Sequence, residues 1–564
     1  MYKINVNDRG YNKIQVIDRQ NLQQLNITVD AIKHKLLNQD IFSIKNGVPK
    51  IEHSTIRSML TIPAVLVLNG NRTYGKRKNK FLYKCIPDDS RIPEFLVPYK
   101  IKAQFNKHLM NKYVIFKFKH WNNKHPEGVL VNVLGDVNEL PNFYEYQLYC
   151  KSLYASIQNF TKQTMKRLRQ KSETEFINQI IESYNIEDRR DIDYEIISID
   201  PVGSKDFDDA FSFIEHAEHY TFSIYIANVA LWMDALELWD SFSQRISTIY
   251  LPDRKRPMLP TILSDTLCSL QEGHSRFAFT LDITINKATM EVVKTQLSNT
   301  VIRVTKNFRY DTKEQETNPT YNQAYDFVSR FNKTHPYLDN IKTSHDFVAY
   351  TMIWMNYTCA KKMRDLQIGI YRSALFNNDF EIPDNVPLRV RKFLKNWYSS
   401  GGNYVKFENT TSHEMLSLDI YVHITSPIRR LVDLLNIIKL QETLGISQMD
   451  EKCDKFYERW TNETAFKYIN ETMKSIRKVQ NDCSLLNICV TDNSILKKEY
   501  VGYIFDKMGR NDGLVQYMIY LPAIGMTNRI ITTKEYSKYE KRYCKLYIFH
   551  DENRLKQKVR VQIL

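Results

Sequence analysis

The chain has 564 residues, enough for roughly three or four domains of about 150 residues each, so it is not a small binding module. Its 79 Lys and Arg against 64 Asp and Glu leave a net charge of +15, the balance expected where a protein meets a polyanion. No apolar run is long enough to span a bilayer, the first residues carry no apolar signal core, and the eight cysteines form no C-x-x-C pair. A membrane protein, a secreted disulfide scaffold and a zinc ribbon are thus disfavoured, and a soluble intracellular chain, cytoplasmic in preference to nuclear, is expected.

In chain order, residues 60–68, 80–85, 100–104, 113–119 and 128–134 read as short strands between turn signals, the spacing of small antiparallel barrels. Residues 139–185 read as helices with a basic face in Lys162, Lys166, Arg167, Arg169 and Lys171; a solvated surface and an RNA-facing one both remain open. The charged stretch 187–191 is a plausible boundary. Strands up to about residue 290 and helical patterns afterwards argue an α+β domain. Strands return at 499–504, 514–520, 529–532, 544–549 and 559–563, which reads as another small barrel. Aromatics are 12% of the residues, 35 Tyr and 28 Phe among them, enough to offer stacking surfaces for unpaired bases besides filling the cores.

Within this layout, four aspartates fall in ten residues: Asp200, Asp206, Asp208 and Asp209. Carboxylates so close resist ionising together unless cations lie between them, which points to hard, oxygen-seeking ions, magnesium first. Asp200 ends one predicted strand and the other three begin the next, across a turn at Pro201-Val-Gly203-Ser. Two ions held by such a set would activate a water and neutralise a leaving oxygen, the usual route to phosphodiester hydrolysis. A solvated acidic turn is the bland alternative; a calcium loop is not, since its Asp-x-Asp-x-Asp-Gly-x5-Glu order is missing.

A second segment, Thr425-Ser426-Pro427-Ile428-Arg429-Arg430, predicts a helix start with Ser426 as cap and Pro427 in the first turn. Two arginines at a helix N-terminus oppose its dipole unless an anion binds there, which suits a phosphate. The competing reading is an ion pair from Arg430 to a nearby acid such as Asp433.

The motif Ile199-Asp200-Pro-x-Gly-x-x-Asp206-x-Asp208-Asp209-Ala, followed by Tyr421-x-His423-x-Thr-Ser-Pro-Ile-Arg429-Arg430, closely resembles the ribonuclease II and ribonuclease R (RNB) superfamily, its exosome-type and large-DNA-virus members above all. Tyr250-Leu-Pro, Pro257-Met-Leu-Pro260 and Leu267-Cys-Ser-Leu270 recur between them in the family's order, and Arg91-Ile-Pro93 with His125-Pro-x-Gly128 resembles a cold-shock barrel. The resemblance covers roughly residues 55–564. It implies a multidomain α+β fold, a central RNB-type catalytic domain flanked by small OB-fold, cold-shock-like barrels at both ends. The expected division is an extension at 1–52, a first barrel at 53–93, a second with connecting helices at 94–190, the catalytic domain at 191–485 and an RNA-binding barrel at 486–564. Only about 50 residues precede the barrels, so the endonuclease domain of exosome subunits is not expected.

By the same resemblance, the four aspartates would hold one or two Mg2+ ions, with Mn2+ as substitute, and Arg429 would grip the phosphate near the scissile bond. Tyr250 would stack on a base near the 3′ end, Tyr310 would position the terminal nucleotide, and Arg430 and His423 would contact substrate. The implied activity is processive 3′-to-5′ hydrolysis of single-stranded RNA, or RNA with a 3′ overhang, to nucleoside 5′-monophosphates. The chain would act as a monomer, with membership of a larger RNA-processing complex left open. An RNA-binding protein of the same fold that cuts poorly is the alternative, and a DNA exonuclease a third. Departures from the family pattern are Tyr225-Ile-Ala-Asn228 in place of His-Ile-Ala-Asp, Tyr350 where bacterial members have a base-contacting glutamate, and Ile476 in place of a second one.

Overall fold

The computed structural model describes residues 1–101, 109–184, 186–310, 312–376, 381–399, 402–510 and 513–564. They divide into two units, one of residues 1–154, 251–253 and 477–564, the other of 155–250 and 254–476. The architecture is multidomain α+β, with small curled sheets in the first unit and a mixed sheet packed by helices in the second.

The first unit opens on five antiparallel strands, Tyr2–Val6, Ile14–Asp18, Gln24–Leu25, Ile41–Lys45 and Val48–His53. Residues 1–52, expected only as an extension, are therefore a folded layer: Ile4, Val6, Val16 and Phe42 point inward and are buried. A second sheet contains Ile62–Leu66, Lys76–Arg77, Lys80–Pro87, Phe95–Tyr99, Lys112–His120 and Glu127–Asp136. Ile62–Leu66 pairs with both Lys112–His120 and Lys80–Pro87, so the sheet curls back on itself as a barrel does. The boundary expected at 93/94 is corrected, because Phe95–Tyr99 is hydrogen-bonded to Lys80–Pro87 within this one sheet. Of the strand expected at 100–104, residues 102–104 lie outside the described residues.

The strands expected after residue 486 appear as Tyr500–Gly509, Val515–Leu521, Met526–Thr532, Lys541–Asp551 and Lys556–Ile563, one antiparallel sheet. Its two edge strands are drawn together where the Asn528 amide donates to the Val559 carbonyl at 3.0 Å. The boundary expected at 485/486 falls inside a continuous helix, Glu463–Thr491.

In the second unit the helices Gln158–Leu168 and Glu173–Tyr184 lead into a seven-stranded sheet. Its strands are β1 (Glu187–Arg189), β2 (Ile197–Asp200), β3 (Asp209–Glu215), β4 (His219–Ala227), β5 (Ser275–Asn286), β6 (Val292–Arg303) and β7 (Lys306–Arg309), in the spatial order β1-β6-β5-β4-β3-β2-β7. The two outer pairings, β1 with β6 and β2 with β7, are parallel and the rest antiparallel. Since β1 belongs to this sheet, the domain expected from residue 191 begins before that residue.

The sheet is buried on both faces, as its alternation dictates. Phe211, Phe213, Phe222 and Ile224 pack with helices α1 (Pro319–Thr334) and α2 (Ser344–Asp365), while Ala210, Tyr225 and Ala227 share a core with Leu431, Leu434 and Leu435 of α3 (Leu431–Thr443). Two strand ends then set the site: Asp200 closes β2, Asp209 opens β3, and Arg309 stands opposite Asp200 in the β2–β7 register.

Candidate active site

Residues 201–208 connect β2 to β3, and their turn is tight: the Ser204 N–H donates to the Pro201 carbonyl at 3.1 Å and Gly203 takes φ +84°. A side chain at Gly203 would meet open space, so it is the left-handed backbone that calls for glycine. The far end of the loop is clamped by 269–270. Phe207 N–H donates to Ser269 Oγ at 3.0 Å, Ser269 Oγ donates to the Lys205 carbonyl at 2.8 Å, and Leu270 N–H donates to the Phe207 carbonyl at 3.0 Å. The Leu267–Leu270 segment that accompanies the aspartates in sequence thus holds their loop in shape.

Asp208 is the buried centre of the site. Its Oδ1 accepts from the Ile428 N–H at 2.9 Å and its Oδ2 from Arg429 Nε at 2.8 Å. Burial pushes this carboxyl up, to about 6, against the pull of Arg429 and the Ile428 amide. Arg429 is anchored in turn by Nη2 donating to Ser426 Oγ at 2.9 Å, while 43% of its side chain stays exposed.

The helix predicted from Ser426 begins later, at Leu431. Residues 426–430 form a turn, with the Arg429 and Arg430 amides donating to the Ser426 carbonyl at 3.2 and 3.0 Å, and Arg430 is extended (φ −138°, ψ 125°) to bridge Ser247. Asp433 enforces this by accepting from both the Ser426 N–H and Arg430 Nη2, each at 2.8 Å. The seat expected for a phosphate is therefore occupied by protein: Asp208 takes the Ile428 amide and Asp433 takes Arg430. For Arg430 the ion-pair alternative is the one realised.

The other three acids differ in their partners. Asp206 Oδ1 lies 2.8 Å from Lys255 Nζ, and its Oδ2 lies 3.4 Å from the Tyr250 hydroxyl. Asp200 Oδ2 is buried without a hydrogen-bond partner. Burial, then the neighbouring Asp209 and Asp208, push the Asp200 carboxyl well above the usual range; burial and Asp208 do the same to Asp209. Among the described residues no group of three or more His, Cys, Asp or Glu side chains forms a ready metal cage, so the four-fold convergence expected from sequence is not preformed. Two acids are neutralised by protein cations, and the unmet demand is on Asp200 and Asp209. Hard oxygens with an orphaned buried atom fit a divalent ion there.

Two cations beside the acids escaped the sequence reading. Lys255 reaches them because Lys255–Arg256 pairs with Ile249–Tyr250. Arg309 lies with its guanidinium 4.8 Å from the Phe207 ring centroid, near enough to Asp200 to oppose the rise in that carboxyl, and its Nη1 is buried without a partner. The register of β2 with β7, invisible in spacing alone, brings it there.

Tyr250 carries an exposed ring at the rim of Asp206. Tyr310 is joined to the acid strand by its amide, which donates to the Asp200 carbonyl at 3.1 Å, and its ring stacks on His345 with centroids 3.7 Å apart. His423 lies 2.8 Å through Nδ1 from the Tyr404 hydroxyl; burial and the adjacent Arg430 and Arg372 hold its imidazole well below the ordinary range. Tyr350 is fully buried, its hydroxyl donating to the His335 carbonyl at 3.0 Å, so it is a core residue with no face for a base. Asn228 is likewise interior, donating to Asn299 Oδ1 at 2.9 Å. The basic helix face remains largely exposed, with Arg167 paired to Glu237 at 2.6 Å.

Residues 188–325 match the family model described as RNB domain, and residues 82–143 that described as Dis3-like cold-shock domain 2. The first takes in the acid loop and Tyr310 and stops short of Arg429. Ribonuclease R of Mycoplasmopsis pulmonis is 29% identical over 234 residues, 41% of this chain and 29% of that protein, so the chain spans less than a third of this curated relative. Among solved structures, Mycoplasma genitalium RNase R in complex with ribose methylated single-stranded RNA aligns over 100% of both chains, with a TM-score of 0.69 and 15% identity. Yeast Ssd1, a pseudonuclease, aligns over 96% of this chain and 80% of its own, with a TM-score of 0.59 and 14% identity. At these identities the structural likeness establishes the fold. No helix among the described residues is long and apolar enough to cross a membrane.

Proposed function

We propose that this chain, which carries an RNB domain at residues 188–325, is a divalent-metal-dependent, processive 3′-to-5′ exoribonuclease acting on single-stranded RNA or a 3′ overhang and releasing nucleoside 5′-monophosphates. One observation carries the reading: the Asp208 carboxylate is gripped at once by the Ile428 amide and by Arg429, so the acid loop and the arginine segment make one cleft. Acidic residues beside an accessible guanidinium suit phosphodiester chemistry.

Magnesium, or manganese in its stead, would supply Lewis acidity and an activated water when bound. Asp200 and Asp209 would hold it, with Asp206 and Asp208 alongside. The exposed edge of Arg429 would take a non-bridging phosphate oxygen and neutralise charge gathering there as the bond to the departing nucleotide breaks. The Tyr250 ring, exposed at the rim, would stack on a base near the 3′ end. Tyr310 lies one hydrogen bond from Asp200 and would align the last nucleotide with the acids. His423 and Arg430, expected on substrate, are read here as supports of the Arg429 segment. The reading needs no second subunit.

One observation favours the alternative, an RNA-binding protein of this fold that cuts poorly: Lys255 and Arg429 already neutralise two of the four acids. The test is 5′-labelled RNA, the same sequence as DNA, and a hairpin with a 3′ overhang, each with and without Mg2+. Metal-dependent shortening of RNA alone supports the exoribonuclease. RNA bound but uncut supports the alternative, and equal loss of DNA points to a deoxyribonuclease.

A further inference from the structure

Lys255 stands where a metal ion would be looked for. Its Nζ is 2.8 Å from Asp206 Oδ1 and 2.9 Å from Asp265 Oδ1, and Asp265 is fixed by the Ser264 hydroxyl. Both carboxylates are mostly shielded, with 10% and 17% of their side chains exposed. An ammonium held between two carboxylates answers the same electrostatic demand as a hard cation, with hydrogen-bond directions in place of coordination.

The acids therefore fall into two sides. On one, Asp206 has Lys255 and Asp208 has Arg429 with the Ile428 amide. On the other, Asp200 keeps a buried oxygen without a partner, and no hydrogen bond or ion pair is formed by the Asp209 side chain among those described. A divalent ion bound on Asp206 would have to displace the ammonium or sit against it, and in a shielded cleft that repulsion is strong. On the Asp200 side Arg309 and Arg429 are near enough to act on the carboxyls, but among the described contacts neither forms an ion pair with Asp200 or Asp209.

We propose that Lys255 is a resident cation of the cleft, taking the Asp206 position so that the acid cluster binds one divalent ion, on Asp200 and Asp209, instead of two. This rests on the metal-dependent reading above and specifies its ion count and the residue that sets it. Lys255 acts through Asp206 and is a positioning residue.

The experiment counts Mn2+ bound per chain, from the electron paramagnetic resonance of free Mn2+ and by calorimetry, on the whole 564-residue chain without RNA. Parent and Lys255→Arg are expected to bind one ion. Lys255→Met and Lys255→Gln, two variants so that one folding failure is not fatal, are expected to bind two, with melting curves reporting that they are folded. Asp200→Asn should weaken the parent's ion by roughly tenfold or more, and Asp206→Asn by less than about threefold. Two ions on the parent, one ion on a folded Lys255→Met, or equal damage from Asp200→Asn and Asp206→Asn would overturn the proposal. A parent that binds two ions and still shortens RNA refutes only the role of Lys255; a parent that binds none and leaves RNA intact removes the exoribonuclease reading with it.

Discussion

Asp208 and Arg429 are 221 residues apart in the chain and joined by a 2.8 Å contact from Nε to Oδ2, with the Ile428 amide holding the other oxygen of the same carboxylate. Only 2% of the aspartate side chain is exposed, against 43% of the arginine's. The pair is therefore asymmetric. Its buried partner has given up water and depends on the arginine to stay ionised, while the arginine keeps an edge for a ligand. The strength of such a contact resides in what is left behind when half of it is removed.

Asp208→Asn keeps the acceptor for the Ile428 amide and loses the charge that meets Arg429. Hydrolysis is expected to fall by roughly a thousandfold or more, with RNA affinity within about threefold of the parent, because phosphate contacts elsewhere carry most of the binding. Single-turnover decay of a labelled oligoribonucleotide, with filter binding alongside, checks both halves. Decay at the parent rate would remove Asp208 from the chemistry.

Arg429 and Arg430 should separate cleanly. Arg429→Lys retains the charge but cannot hold Asp208 and Ser426 together, so turnover is expected to drop by about a hundredfold with the melting temperature little changed. Arg430→Met instead strands Asp433, which is fully buried, and is expected to cost about 3 kcal/mol of stability. A denaturation curve for each variant, set beside its turnover, reads the contrast. If Arg430→Met lost activity without losing stability, Arg430 would belong on the substrate after all.

These two arginines also mark the limit of what the chain's spelling reveals. Ser426 and Pro427 obey the local rules for a helix start, yet Asp433 captures the Ser426 amide and Arg430 extends to Ser247, so tertiary partners delay the helix to Leu431. The aspartate loop was legible because a strand, a Gly turn and a second strand are all local signals, and the strands after residue 499 were legible for the same reason. Lys255 and Arg309 were not, since a strand pairing and a sheet register bring them to the acids. The sheet of residues 2–53 was hidden by strands too short and too polar to stand out, though Ile4 and Phe42 prove fully buried. Tyr350 was matched to a base-contacting position, but its surroundings are Tyr337 and Trp354 in the core.

The imidazoles behind the arginine segment should make stability acid-sensitive. Burial, with Arg372 nearby, pushes His413 down to about 4, and His423 is held low as well. In the unfolded chain each would take up a proton near pH 6.5, so between that pH and about 4 the unfolded state binds more protons. Stability from the neutral imidazole is thus complete above pH 6.5 and is lost as the pH falls. Because the buried carboxyls near Arg429 titrate with the opposite sign, the quantity to measure is the difference between parent and His413→Asn. That difference is expected to shift by about 2 kcal/mol in favour of the variant between pH 7.5 and pH 5. Parallel melting profiles would mean that His413 is protonated in the fold.

The C-terminal sheet should contribute affinity and not chemistry. Along Lys541–Asp551 the side chains alternate, Cys544 and Leu546 inward, Tyr543, Tyr547 and Phe549 outward and exposed. Cations flank the rings: Lys541 lies over Tyr543 at 5.8 Å and Arg560 over Phe549 at 5.7 Å. Exposed aromatic rings cost solubility unless something stacks on them, and rings interleaved with cations suit unpaired bases joined by phosphates. Replacing Tyr547 and Phe549 together by Ala is expected to weaken binding of a long single-stranded oligoribonucleotide by roughly tenfold or more, since each stacked base is worth about 1–3 kcal/mol. Turnover of saturating RNA should stay within about twofold, because binding energy shared by ground and transition states does not change the chemical step. Fluorescence anisotropy on the folded double variant decides it: an unchanged dissociation constant would leave these rings as surface without an RNA role, whereas a loss of affinity would identify the strand as an RNA-holding surface.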